Sequence, residues 1–213
     1  MSHLSEPVVF LNGQFLPKSA ALISPDDRGF VYADGVYEVL RFYRGKLFAP
    51  ELHTARLRRS LAEIFISGVD ETMLVHIAGQ LIEKNGMEQT DGIIYFQATR
   101  GTAPRKHPFP KDAVPTVYAT ATALERPVDK LQTGVPVLLM EDIRWTRCDI
   151  KSISLLPNVM ASEQAAAAGC YETLFHREGW ITEGSRSNVF FRHRGTWFTH
   201  PADRFILNGI TRI

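Results

Sequence analysis

Alternating and helically spaced apolar positions divide the chain into short strands and amphipathic helices. The run "VVFLNGQFLP" predicts two strands around a turn at Asn12-Gly13. After "SPDDRGF", where Asp26, Asp27 and Gly29 break the pattern, "VYEVLRFYRGKLF" predicts a second pair turning at Arg44-Gly45. In "APELHTARLRRSLAEIFI", Leu52, Ala55, Leu57, Leu61, Ile64 and Phe65 lie close to helical spacing. "ETMLVHIAGQLIEKNG" predicts another helix, with Gly86 as its terminator. "GIIYFQATRG" and "PTVYATATAL" predict strands on either side of the proline-rich loop "TAPRKHPFPKD". The polar stretch "ERPVDKLQTG" reads as a linker. Beyond it, "VPVLLMEDIRW" is strand-like and "SLLPNVMASEQAAAAG" is an alanine-rich helix ending at Gly169. Pro157 suits only a first turn, so that helix is predicted to begin near Leu155 with Ser154 as its cap. The segment after Gly169 predicts short antiparallel strands turning at Glu178-Gly179 and Arg194-Gly195. The pattern is that of an α+β chain with a small domain (1–124), a linker (125–130) and a larger domain (131–213).

Composition narrows the function. The 213 residues are 45% hydrophobic and 22% charged, an ordinary globular balance with a formal net charge of +1. That charge gives no bias toward nucleic acid or an anionic membrane. The cluster Arg56, Arg58 and Arg59 is short and lies on an amphipathic helix. Two cysteines, Cys148 and Cys170, form neither a disulfide framework nor a metal-ligand pattern, so both are expected as free thiols. The first residues lack a signal-peptide pattern, and no apolar run approaches bilayer length. A soluble cytoplasmic protein is the expectation. The terminal "RFILNGITRI" leads toward a new helix and stops, which reads as a chain lacking its C-terminal part.

No metal, nucleophile-elbow or P-loop constellation occurs, and "DDRGFVYADG" lacks GxGxxG spacing. Two ionisable residues are suggestively placed. Lys151, in "RCDIKSISLLPN", ends a strand-like run, and Glu183, in "ITEGSRSNVFF", sits in a turn of small residues. A lysine in a partly apolar site loses its proton more readily and can form a Schiff base. An acid facing a pyridinium nitrogen is the other half of pyridoxal chemistry. Alone, each residue suits an ordinary surface role. His53 and Arg56 equally suit a helix-surface pair, Tyr32 and Tyr37 strand packing, and Arg100 a structural role before a glycine turn.

Five ordered segments change that balance: "DRGFVYADGVYEVLR", "YFQATRGTAPRKHPFP", "EDIRWTRCDIKSISLLPN", "GCYETLFHREGWITEGSRSNVF" and "HPADRFILNGITR". Together they resemble the class IV, fold-type-IV pyridoxal-phosphate aminotransferases, and within them the D-amino-acid aminotransferase branch. The resemblance runs from about Val8 to Arg212. It implies a two-domain fold with pyridoxal 5'-phosphate between the domains, and Lys151 as the Schiff-base lysine. Glu183 becomes the partner of the pyridine nitrogen, and Arg56 a phosphate ligand whose fork suits that anion. Ile210 and Thr211 match the phosphate-holding turn, Ser187 and Asn188 the small polar residues near the cofactor, and Leu207 an apolar residue against its ring. Tyr37, Arg105 and His107 match the trap for the substrate carboxylate. In the family the last two reach across from a neighbouring subunit, which implies a homodimer.

The implied activity is a ping-pong transamination between a D-amino acid, such as D-alanine or D-glutamate, and a 2-oxo acid. A branched-chain L-amino-acid aminotransferase, a lyase of the same fold, and an inactive fragment acting only by association are the alternatives. Two departures stand out. Arg186 replaces a serine of the family pattern and brings a cation close to the expected cofactor region. The last quarter or so of the family's chain, which supplies another threonine to the phosphate, is expected to be missing.

Overall fold

The computed structural model describes residues 6–213. These fall into two compact units. The first comprises the residues up to Arg126 together with Lys151–Ser154, and the second comprises Pro127–Ile150 and Leu155–Ile213.

The first unit contains β1 (Val8–Leu11), β2 (Gln14–Pro17), the short helix α1 (Arg28–Tyr32), β3 (Gly35–Tyr43) and β4 (Lys46–Leu47), followed by α2 (Pro50–Glu63), α3 (Met73–Lys84), β5 (Gly92–Thr99) and β6 (Thr116–Ala123). Its six strands form one antiparallel sheet in the order β2-β1-β6-β5-β3-β4. The predicted turns are present. Asn12-Gly13 and Arg44-Gly45 both have positive φ at both positions (48° and 89°, 44° and 72°), the geometry that two-residue hairpins need to follow the strand twist.

Period-two alternation gives the sheet two different faces. Val36, Leu40, Phe42, Ile94, Phe96 and Ala98 are buried, as are Leu57 and Leu61 of α2 and Leu74, Ile77, Ala78 and Leu81 of α3. The intervening positions Tyr37, Val39, Tyr95 and Gln97 are half-buried. Glu38 is the exception on the core face, a carboxylate with no exposed surface among apolar neighbours. Lys151–Ser154 adds a short stretch to the edge of β3: Val36 and Ser152 form an antiparallel bridge, and Ile153 N–H donates to the Gly35 carbonyl at 3.1 Å. Gly35 is required there, because a Cβ would stand 2.7 Å from the Ala98 carbonyl oxygen.

The second unit contains α4 (Val128–Thr133), β7 (Val137–Glu141), α5 (Leu156–Ala167), β8 (Glu172–Arg177), β9 (Trp180–Gly184) and the hairpin β10 (Phe191–His193) and β11 (Thr196–Phe198). β7 and β8 are parallel with α5 in the crossover, and β9 returns antiparallel with a bulge between Leu174 and His176. The Glu178-Gly179 and Arg194-Gly195 turns again have positive φ throughout. The stretch read as a linker runs into α4 from Val128. One local expectation needs correction. Ser154 does not cap α5, which begins one residue later with Leu155 at its N-cap; the Ser154 hydroxyl instead donates to the Ala33 carbonyl at 3.5 Å. Pro157 occupies the first turn, where its missing N–H is no loss. Among the described residues no helix is long and apolar enough to cross a membrane.

One glycine governs how the loop after β5 leaves the sheet. Gly101 has φ +91°, and a Cβ there would lie 1.9 Å from the Val114 carbonyl oxygen. Gly101→Ala is expected to destabilise the chain by at least about 2 kcal/mol, since left-handed strain and a backbone clash combine. A denaturant midpoint unchanged from the wild type would refute this.

Candidate active site

Lys151 is set by its backbone. Its carbonyl accepts from Tyr37 N–H at 3.0 Å, and its N–H donates to the Ser60 hydroxyl at 3.4 Å. That register brings its ammonium 4.2 Å from the centre of the Tyr37 ring, a cation–π contact. Tyr37 in turn stacks on Tyr95, with ring centroids 5.7 Å apart. The Tyr95 hydroxyl donates to Gln97 at 2.6 Å, and burial pushes it up to about 12, so it is a neutral donor at physiological pH.

Behind Lys151 lies Glu38. Arg56 donates to it through Nε and Nη2, both at 2.8 Å, in a bidentate fork. The His53 ring Nδ1 is 2.8 Å from the same carboxylate. Burial alone would raise the Glu38 carboxyl. The Arg56 and His53 hydrogen bonds outweigh it, aided by the charges of Arg56 and Lys151, and hold the group below its ordinary value. His53 and Arg56 are therefore not a helix-surface pair. Both face inward and share a buried anion, with His53 only 5% exposed.

The second unit carries a different cluster. Glu183, in β9, is buried. Its Oε1 accepts from Arg144 Nη1 at 2.6 Å, and its Oε2 accepts from Asn188 Nδ2 at 3.0 Å and from Leu207 N–H at 3.1 Å. Burial pushes this carboxyl above its ordinary value, and Arg144 offsets part of the rise. Arg144 is itself gripped by Asp142 through Nε and Nη2, both at 2.9 Å. Asn188 also donates to the Leu207 carbonyl at 2.8 Å and accepts from Gly209 N–H at 3.1 Å, so one amide ties Glu183 to the "NGIT" turn. A Cβ at Gly209 would stand 2.1 Å from that amide oxygen. Ile210 is buried and Thr211 exposed, and among the described residues their N–H groups donate to no protein acceptor. The Ser187 hydroxyl donates to Glu172 at 2.9 Å. Arg186 turns onto the Tyr171 ring, 4.5 Å from its centre, and donates to the Tyr171 carbonyl at 2.9 Å. Burial pushes the Cys148 thiol up to about 11, which disfavours its thiolate form.

Arg105 and His107 lie on the irregular loop after β5, both exposed, and both pack on the Tyr32 ring. Tyr32 closes the short helix α1 rather than packing in a strand. Arg100 has the structural role its glycine turn suggests, being buried and bonded to Asp34 and to the carbonyls of Ile64 and Phe65. Glu38, Arg144 and Asp142 are the functional-looking residues that sequence patterns did not single out. Glu38 left a trace, a lone acid at an apolar position of an alternating strand. Arg144 and Asp142 left none.

Known proteins share this architecture. The family model described as "Amino-transferase class IV" matches residues 35–213, and the chain belongs to that family of pyridoxal-phosphate-dependent aminotransferases. The chain is 45% identical over 206 residues to the D-alanine aminotransferase of Staphylococcus haemolyticus, covering 96% of this chain and 72% of that protein. Among solved structures, the branched-chain aminotransferase of Thermoproteus uzoniensis with norvaline superposes with a TM-score of 0.83 at 25% identity, over 96% of this chain and 71% of that one. A hypothetical aminotransferase from Mycobacterium tuberculosis in its PLP-bound form has the same fold, with a TM-score of 0.83 at 21% identity over 96% of this chain and 75% of that one.

The Glu38 cluster makes a pH-dependent prediction. Glu38→Gln leaves Arg56 without its buried carboxylate partner and is expected to cost roughly 2–4 kcal/mol at pH 7. A carboxylate held below its ordinary value stabilises the fold above 4.5, and that contribution is lost as pH falls from there through the depressed folded value. The gap between wild type and variant, measured by urea unfolding, should therefore close below pH 4.5. A gap independent of pH would contradict the assignment.

Proposed function

We infer that this chain moves an amino group from a D-amino acid, such as D-alanine or D-glutamate, to a 2-oxo acid in a ping-pong cycle. The observation that carries the reading is the amine of Lys151, held by a strand-edge register over the Tyr37 ring. The preference for D-amino acids is supported by the 45% identity to a D-alanine aminotransferase.

The donor set fits pyridoxal phosphate. Lys151 offers the amine, and Arg56 offers charge for the phosphate. The N–H groups of Ile210 and Thr211, undonated among the described residues, offer further phosphate contacts. The Glu183 carboxylate accepts three hydrogen bonds, leaving room for about one more, which suits a protonated ring nitrogen. Asn188 and Leu207, which bond Glu183 within the second unit, and Ser187 beside them would be the neighbours of the ring. When bound, this cofactor supplies an electron sink for the electron pair left at the substrate Cα once its proton is removed.

The protein's own groups do the rest. Lys151 accepts the proton from Cα and delivers it again, a transfer its tethered amine can make without leaving the site. Glu183, raised by burial and braced by Arg144, holds the proton on the ring nitrogen. Tyr37, Arg105 and His107 bind the substrate carboxylate and so fix which face of Cα meets Lys151. In this reading the enzyme is a homodimer in which Arg105 and His107 serve the neighbouring subunit. The exposed Phe30, Phe109 and Val114 of the first unit (81%, 53% and 80%) support such an interface. The free thiols Cys148 and Cys170 suit a reducing, cytoplasmic compartment.

The test is chemical and kinetic. Protein incubated with pyridoxal phosphate and reduced with borohydride should gain one phosphopyridoxyl mass, mapped by peptide digestion to Lys151. Lys151→Ala should lose that label and fall to background turnover. Pyruvate should form from D-alanine and 2-oxoglutarate. Turnover of L-leucine without D-alanine would move the substrate to the branched-chain class, and labelling elsewhere with full activity in Lys151→Ala would remove the mechanism.

A further inference from the structure

The loop that carries Arg105 and His107 has no regular secondary structure, yet it is held from below. Arg28 donates to the Lys106 carbonyl at 2.6 Å and to the His107 carbonyl at 3.4 Å. Its Nε donates to Asp34 at 2.7 Å. Arg100 donates to the same carboxylate through Nε and Nη2, at 2.8 and 2.9 Å, and its guanidinium carbon lies 3.6 Å from the centre of the Phe109 ring. The two arginines keep the Asp34 carboxyl below its ordinary value despite burial. The backbone of the loop is thus pinned through Arg28, and its far end through Phe109.

The side chains have a separate support. The Tyr32 ring centre is 5.5 Å from that of His107, 5.4 Å from the Arg105 guanidinium carbon and 4.7 Å from that of Arg28. The Tyr32 hydroxyl, buried, has no hydrogen-bond partner among the described residues. The contacts Tyr32 makes with Arg105 and His107 are those of its aromatic ring. An exposed arginine loses rotamer freedom when it grips an anion, and a ring that already orders it reduces that cost.

We propose that Tyr32 is a positioning residue for carboxylate recognition. Its ring holds Arg105 and His107 side by side for the α-carboxylate of the amino acid or 2-oxo acid, while Arg28 and Asp34 fix the loop backbone beneath. The proposal rests on the reading of Arg105 and His107 as the carboxylate-binding pair.

Four variants of the cofactor-loaded enzyme test it: Tyr32→Phe, which keeps the ring; Tyr32→Met, which keeps bulk without it; Arg105→Gln; and the Tyr32→Met, Arg105→Gln double variant. Tyr32→Met should raise KM for D-alanine and for 2-oxoglutarate by about tenfold with kcat within about twofold. Tyr32→Phe should restore wild-type KM. In the Arg105→Gln background Tyr32→Met should add less than about twofold, because the two act as a unit. If Arg105→Gln raises KM and Tyr32→Met does not, or if the two effects multiply in full, positioning by Tyr32 is wrong while the carboxylate reading stands. An unchanged KM in Arg105→Gln would instead remove that reading and this proposal with it. Should Tyr32→Met not fold, Tyr32→Leu replaces it: loss of the ring should raise KM with kcat held, and an unchanged KM overturns the proposal.

Discussion

A carboxylate buried on the core face of a sheet constrains much of the first unit. Glu38 stands between Val36 and Leu40, where alternation calls for an apolar side chain. An isolated charge there would be prohibitively costly, so the surrounding structure must answer it with donors. Arg56 and His53 do so from consecutive turns of α2. The helix is thereby fixed in rotation and depth against the sheet by polar contacts as well as by Leu57 and Leu61. That geometry puts Ser60 under the backbone of Lys151. The need to answer one buried acid thus fixes the helix that carries the proposed phosphate arginine and anchors the proposed catalytic lysine.

The same device recurs twice, with the same logic. Asp34 gathers Arg28 and Arg100, and Asp142 gathers Arg144 and Arg177. In each case an acid held in its charged form by arginine leaves the remaining guanidinium donors to reach something else. For Arg28 these are loop carbonyls, and for Arg144 the Glu183 carboxylate. Planar forks with five donors suit this relay, and lysine could not replace them. An Asp–Arg pair thereby converts a local charge into an orienting contact far away in sequence.

The backbone follows simpler rules. Among the described residues four hairpins turn at an X-Gly pair, and all eight residues of these pairs have positive φ. Elsewhere glycine is required by proximity: at Gly35 so that strands can approach, and at Gly209 so that Asn188 can reach the turn. Asn188 commits both ends of its amide to that turn and to Glu183, which makes the position of the turn depend on the orientation of a single side chain.

Much of this was readable from the chain. Apolar alternation marks β1, β3, β5 and β6, X-Gly pairs mark the hairpins, and helical spacing marks α2 and α3, because these are local consequences of side-chain direction and backbone sterics. Ordered motifs mark Lys151, Glu183, Arg105 and His107 as the candidates for the chemistry. The offset start of α5 and the absence of a Ser154 cap were not readable, since the hydroxyl is drawn to a carbonyl distant in sequence. Nor was the inward turn of His53 and Arg56, whose spacing fits a surface pair equally well, or the stacking of Arg186 on Tyr171. Local sequence dictates which elements form and which residue types are available for the chemistry, because propensity, periodicity and turn geometry act over a few neighbouring residues. The partner of each charge was settled only in three dimensions. A buried ion's energy depends on donors brought in from anywhere along the chain, and no local pattern encodes which of them will arrive.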